Sequence, residues 1–164
     1  MRVTRFESFL LNLLASSGHP AIKDVQVLSQ PQDRALPRGI DVWFVTGARI
    51  ILQTVGAAPP GGDSSDREER IVEGTPLPPV DEPVFAPADD RIDVKSFETW
   101  LAAKITNSGH AEIQGVRTFT GHSHRLGVDV TFYNGAHTYT YFPYTLRAGQ
   151  QPGAHPIYEA KDVI

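Results

Sequence analysis

Gly39-Ile40-Asp41-Val42-Trp43-Phe44-Val45-Thr46-Gly47-Ala48 returns further along the chain as Gly127-Val128-Asp129-Val130-Thr131-Phe132-Tyr133-Asn134-Gly135-Ala136. Both stretches alternate apolar and polar side chains and then break at a glycine, the pattern of a half-buried strand entering a hairpin. Working outward, 39–55 aligns with 127–143, with six of 17 positions identical. Upstream, FESFLLNLLASSGHPAIKDVQVL (6–28) aligns without a gap with FETWLAAKITNSGHAEIQGVRTF (97–119), with eight of 23 identical. Matches of that density across two separate blocks point to an internal duplication.

Each copy reads as one helix followed by three strands. Phe6, Phe9, Leu10, Leu13 and Leu14 fall at helical spacing, as do Phe97, Trp100, Leu101 and Ile105, which predicts helices over 4–16 and 95–107. Ser96 is the expected cap of the second helix. Ser17-Gly18 and Ser108-Gly109 stop the two helices, since glycine takes the left-handed position past a helix end without strain. Strands are expected over 22–29, 39–46 and 48–55, and over 113–120, 127–133 and 137–144. Thr46-Gly47 and Asn134-Gly135 mark the hairpins, and Asn-Gly favours a two-residue type I′ turn. The fold class is therefore α+β, an internally duplicated α-β-β-β unit with antiparallel sheets and pseudo-twofold symmetry. A short leading strand at Arg2-Val3 and Ile92-Val94 would make the unit β-α-β-β-β, and a closing strand is expected at 70–73 and 156–159. The two sheets could meet edge to edge or face to face, and a cleft on the pseudo-axis is the default binding site.

The boundaries follow from composition: a first repeat over 1–57, a linker over 58–93 and a second repeat over 94–164. The linker holds seven prolines and ten acidic residues and sums to −7, against +2 and +1 for the repeats. It reads as a solvated, partly extended tether or as an acidic strap that competes with an anionic ligand for a mildly basic face, and Val84 and Phe85 suggest that part of it docks. Repeats this small bury too little surface to stand alone and are expected to pack as one unit. At 164 residues and a net charge of −4, the chain has no basic field to draw it to nucleic acid or anionic lipid. It has no cysteine, which removes disulfides, thiolate metal sites and cysteine nucleophiles. No stretch approaches the ~20 apolar residues of a membrane span, and the expected location is the cytoplasm.

Few residues suggest chemistry. His19 and His110 hold the same place after each helix and could form a pair across the axis, or bond helix-end carbonyls. His122 and His124 form His-x-His, which lacks the third ligand a metal site needs; His110 and His137 could meet but make only two ligands. Asp41 and Asp129 face away from the aliphatic positions of their strands. They share that face with Trp43, Thr131, Tyr133, His137, Tyr139 and Tyr141, and together these form the expected binding face, because tyrosine is enriched where proteins meet. Strand acids of this kind ordinarily belong to a solvated face with cross-strand aromatic pairs. There is no phosphate loop, dinucleotide fingerprint, nucleophile elbow or zincin helix, and no cofactor is implied.

A tandem β-α-β-β-β with Gly47-Ala48-Arg49-Ile50-Ile51-Leu52 in its third strand resembles the vicinal-oxygen-chelate superfamily of glyoxalases and bleomycin-resistance proteins. That family carries its metal ligands on the first and last strands of each module. Here Arg2-Val3 and Ile92-Val94 carry no histidine, and Gln53 and Tyr141 stand where an acidic ligand would, so the resemblance implies a metal-free binding member. The leading functional expectation is a non-enzymatic module that binds a partner protein through a sheet face or edge, with a homo-oligomer also open. The alternatives are a small-molecule binder or metalloenzyme with a site between the repeats, and a nucleic-acid binder.

Overall fold

A computed structural model describes residues 1–28, 38–62, 68–87, 91–120, 125–153, 156–157 and 163–164. The chain runs α1 (Val3–Ala15), β1 (Ile22–Val27), β2 (Ile40–Phe44), β3 (Arg49–Ala57), α2 (Val94–Thr106), β4 (Ile113–Thr118), β5 (Gly127–Phe132) and β6 (His137–Leu146). The duplicated α-β-β-β unit is thus present twice. The six strands form one antiparallel sheet in the order β1-β2-β3-β6-β5-β4, so the repeats meet edge to edge.

The seam is the β3–β6 ladder, in which Gln53 lies opposite Tyr141. These two residues are repeat equivalents, so the pseudo-dyad passes between them. A bulge between Ile51 and Gln53 lets the ladder continue to Ala57 opposite His137. Because backbone hydrogen bonds close this seam, it offers no cleft on the axis.

Both helices cover one face of the sheet. Phe6, Leu10 and Leu14 of α1, and Phe97, Trp100, Leu101 and Ile105 of α2, are buried against Val42, Phe44, Ile50, Leu52, Val128, Val130, Phe132 and Phe142. The strands alternate, so one set of side chains enters this core and the other set lines the opposite face. Phe6 meets Phe132 edge-on at 5.9 Å, and Phe44 meets Phe97 at 5.4 Å; each contact ties one repeat's element to the other's, so the core is shared.

Several local expectations change. Asp93, not Ser96, caps α2: its side chain accepts from Lys95 N at 3.1 Å and from the Ser96 hydroxyl at 2.5 Å. A carboxylate supplies a stronger acceptor to the helix N-terminus than a hydroxyl. The hairpins are three-residue loops rather than type I′ pairs. Gly47 donates to Phe44 O at 3.0 Å and Gly135 to Phe132 O at 2.8 Å, with each glycine at φ +82°. One left-handed glycine after a turn suffices in this loop. No leading strand forms: Arg2 is the N-cap of α1, and Asp93 makes only an isolated bridge to Val163. The β-α-β-β-β module on which the superfamily resemblance rests is therefore α-β-β-β here. Residues 70–73 form no strand, and 158–159 lie outside the described residues.

The linker is a docked strap over 68–87 rather than a solvated tether. Asn107 clasps Val80, accepting from its N–H and donating to its carbonyl, both at 2.8 Å. Gly74 N donates to Ala111 O at 2.9 Å, Tyr133 donates its hydroxyl to Thr75 O at 2.7 Å, and Asn134 Nδ2 donates to Arg70 O at 3.0 Å. Phe85 is 2% exposed, wedged among His19, Phe44, Phe97 and Trp100, whereas Val84 is 81% exposed.

Candidate functional site

The face away from the helices carries the residues singled out in the sequence, and its two halves differ. On the first repeat's half, Ile51, Tyr144 and Leu146 are buried together, with Leu28 and Ile157 packed on them. Arg49 stacks its guanidinium over the Trp43 ring at 4.1 Å and donates to Gln151 Oε1 at 3.5 Å. The chain's own segment after β6 thus closes this half.

Asp41 and Asp129 are not on a solvated surface: they are 5% and 1% exposed. Arg49 donates through Nε to Asp41 Oδ1 at 3.2 Å and through Nη2 to Oδ2. In the second repeat His137 occupies the place of Arg49, and its Nδ1 lies 3.1 Å from Asp129 Oδ1. Arg117 of β4 completes the pair with Nε and Nη2 each 2.7 Å from Asp129 Oδ2. The duplicated aspartate is a buried anchor for a cation in each copy, because an unpaired buried carboxylate costs several kcal/mol. The permanent cation comes from a different strand in each copy, Arg49 on β3 in the first and Arg117 on β4 in the second.

On the second half, rings lie side by side. His137 stacks with Tyr139 at 5.8 Å, and Phe119 lies 6.4 Å from Tyr139 and 5.2 Å from Tyr141. Arg125 sits 5.8 Å over the Tyr141 ring. These rings are half-buried, and Val55, opposite Tyr139 in the seam, is 46% exposed. Thr131 joins the row through a 3.3 Å contact with His137 Nδ1. Trp43 and Asp41 lie on the same face in the closed half. Tyr133 does not join the row: it sits in the β5–β6 hairpin with its ring against Gly74, where a Cβ would come within 2.3 Å of it, and it holds the strap.

Arg117, Phe119 and Arg125 belong to this face and escaped the sequence reading. Arg117 was detectable as the cation cross-strand from Asp129. The register break between Ile113 and Gly115 hid that pairing, since a bulge moves later side chains onto the other face.

His19 and His110 do not bond helix-end carbonyls and do not meet. Each Nδ1 accepts a backbone N–H two residues on, from Ala21 at 3.2 Å and from Glu112 at 3.3 Å. His110 lies against Phe9 on the helical side of the sheet, away from His137. His122 and His124 lie outside the described residues. Among the described residues no group of three or more histidine or acidic side chains could hold a metal ion, and no helix is long and apolar enough to cross a membrane. A groove of about 410 Å³ between the start of α1 and Gly56–Pro59 has His137 at its rim.

No protein-family model, curated protein or solved structure matches the chain.

Proposed function

We propose that the protein is a non-enzymatic interaction module that takes a partner protein on the open half of its sheet. The observation carrying this reading is the row His137, Tyr139, Phe119 and Tyr141, held half-exposed on a rigid sheet while the equivalent half is closed by the chain's own tail. Aromatic side chains on a fixed backbone lose little conformational entropy on binding and bring large contact areas. The packed core between the repeats favours binding on the surface over a site enclosed between them.

The test is capture from lysate with the full chain, followed by crosslinking to map the contact, repeated with Tyr139→Ala and Tyr141→Ala. Loss of the captured protein, with thermal unfolding unchanged, supports the reading. Unchanged recovery with both substitutions rejects this face.

A second reading rests on the guanidiniums that flank the same row. Aromatic rings interleaved with arginines on a sheet suit single-stranded nucleic acid, on which bases stack and phosphates pair. Binding of this kind falls steeply with salt. Absence of retention on mixed oligonucleotides at low ionic strength removes it.

A further inference from the structure

The two outermost strands, β1 and β4, are repeat equivalents, yet they end the sheet differently. Both break register at the same place, between Ile22 and Asp24 and between Ile113 and Gly115. Backbone groups of an antiparallel strand point alternately toward and away from the neighbour. Leu28 donates to Gly39 O at 2.9 Å and Phe119 to Gly127 O at 2.9 Å. Counting back by twos, Val25 and Val27 in β1, and Val116 and Thr118 in β4, turn their N–H and C=O groups outward.

In β1 the outward N–H of Val25 is taken by Asp24 Oδ1 at 2.8 Å, and Gln26 Nε2 donates to Asp24 Oδ2 at 2.5 Å. A carboxylate therefore covers that edge, one of the devices by which edge strands avoid further pairing. In β4 the place of Asp24 is held by Gly115, which has no side chain to do the same for Val116. Neither packing nor conformation calls for this glycine. Its φ is not among the positive values, and among the described residues nothing lies within 4 Å of a Cβ added to it. A glycine inside a strand weakens it and marks a bulge or a place where another backbone approaches closely; in β1 the same register break carries Asp24, so the break by itself does not require glycine.

The strand is also complementary to itself. Arg117 lies two residues from Gly115 on the same face, with its side chain 70% exposed. Antiparallel pairing of β4 with β4 of a second copy, centred on Val116, exchanges the outward N–H and C=O of Val116 between the copies. It sets Thr118 opposite Gln114 and lays the stem of each Arg117 over the vacant position at Gly115. Centring on Arg117 instead would oppose two guanidiniums directly, which is destabilising. The β3–β6 seam already joins equivalent strands in this manner within one chain. We propose that the protein forms a twofold dimer through β4, with one sheet running through both copies. The inference stands independently of the partner reading above.

Sedimentation velocity of the full chain, from low to high micromolar concentration, should show the mass rising from 18.0 kDa toward twice that value. Gly115→Asp should cap Val116 as Asp24 caps Val25 and hold the protein monomeric throughout, with an unfolding midpoint that does not rise with concentration as the wild type's does. If that variant does not fold, amide exchange on the wild type is decisive: Val116 should slow with concentration while Val25 does not. A wild-type monomer at every concentration overturns the proposal, as does a dimer that survives Gly115→Asp or a Val116 amide indifferent to concentration.

Discussion

His19, which follows α1, packs edge-on against Trp100 of α2 with 5.1 Å between ring centroids. Its counterpart His110, which follows α2, packs against Phe9 of α1 at 5.2 Å. Phe9 and Trp100 are themselves equivalent positions of the two repeats, so the helix layer is joined by one contact made twice around the pseudo-dyad. Only the first copy is elaborated: Phe85 of the strap stacks flat on His19 at 3.9 Å.

This arrangement makes stability depend on pH. Burial, with Lys104 adding to it and Glu82 opposing it, pushes the His19 pKa below the usual 6.5. The folded state holds the ring neutral, with Nδ1 accepting from Ala21, while the unfolded chain takes up a proton near 6.5. Protonation thus favours unfolding, so the His19 contribution is complete above that value and declines as pH falls through it toward the folded pKa. Urea unfolding measured over roughly pH 5.5–7.5 should show this decline, and His19→Asn should flatten it. A slope unchanged by the substitution would assign the pH dependence elsewhere.

Glu7 and Glu98 are equivalent residues with different weights. Glu98 is fully buried and accepts from Gly127 N at 2.7 Å, Phe119 N at 3.2 Å and the Thr120 hydroxyl. Glu7 pairs with Arg38, whose side chain is 55% exposed. Removing Glu98 orphans the buried Gly127 N–H at the β4–β5 connection, so Glu98→Ala should cost about 1–3 kcal/mol. Glu7→Ala should cost about 0.5 kcal/mol, as for an exposed pair. Chemical denaturation of the two variants gives the comparison, and equal losses would contradict it.

Truncating the strap's anchor should be as damaging as truncating a core residue. Phe85 touches four other rings, so Phe85→Ala is expected to cost about 3–5 kcal/mol. Its neighbour Val84, 81% exposed, should tolerate alanine within about 0.5 kcal/mol. Limited proteolysis should cut the strap faster in the Phe85 variant, and a strap equally resistant in both would mean that Phe85 does not hold it.

Two glycines in the second repeat should respond oppositely to alanine. Gly127 sits at φ +155°, and an added Cβ would lie 2.2 Å from Thr140 O and 2.9 Å from the Phe119 ring. The obstruction is backbone and cannot yield cheaply, so Gly127→Ala should lower the unfolding midpoint sharply, by about 3 kcal/mol or more in stability. Gly115→Ala meets open space and should change stability by less than about 1 kcal/mol, with the unfolded chain's lost freedom favouring alanine. Thermal unfolding of both variants is the measurement; a tolerated Gly127→Ala would show that the backbone there shifts freely.

Much of the fold was legible because it rests on neighbours in sequence. The repeat, the helix periods from Phe6 and Phe97, the stops at Gly18 and Gly109, and the hairpins at Gly47 and Gly135 all depend on side-chain spacing over a few residues. The predicted strand ends shifted by at most two residues, and Asp93 displaced Ser96 as cap, because local signals position ends loosely. The site was legible only in part. Alternation placed Asp41, Trp43, Asp129, Thr131, His137, Tyr139 and Tyr141 on one face correctly. It could not show that both aspartates are buried, that Arg117 pairs with Asp129, or that Phe119 packs on Tyr139 and Tyr141.

The amino-acid sequence by itself determined that there are two copies of a helix-and-three-strand unit and which side chains within β2, β5 and β6 share a face. Only the tertiary structure decided that β3 meets β6, that the tail closes one half of the open face, that the strap seats Phe85 in the core, and that the two sheet edges differ. The reason is range. Helix and strand periods are set by residues two to four apart, whereas seams and covers join residues dozens of positions apart, such as Arg49 with Gln151, and their energies exist only once the chain has closed on itself.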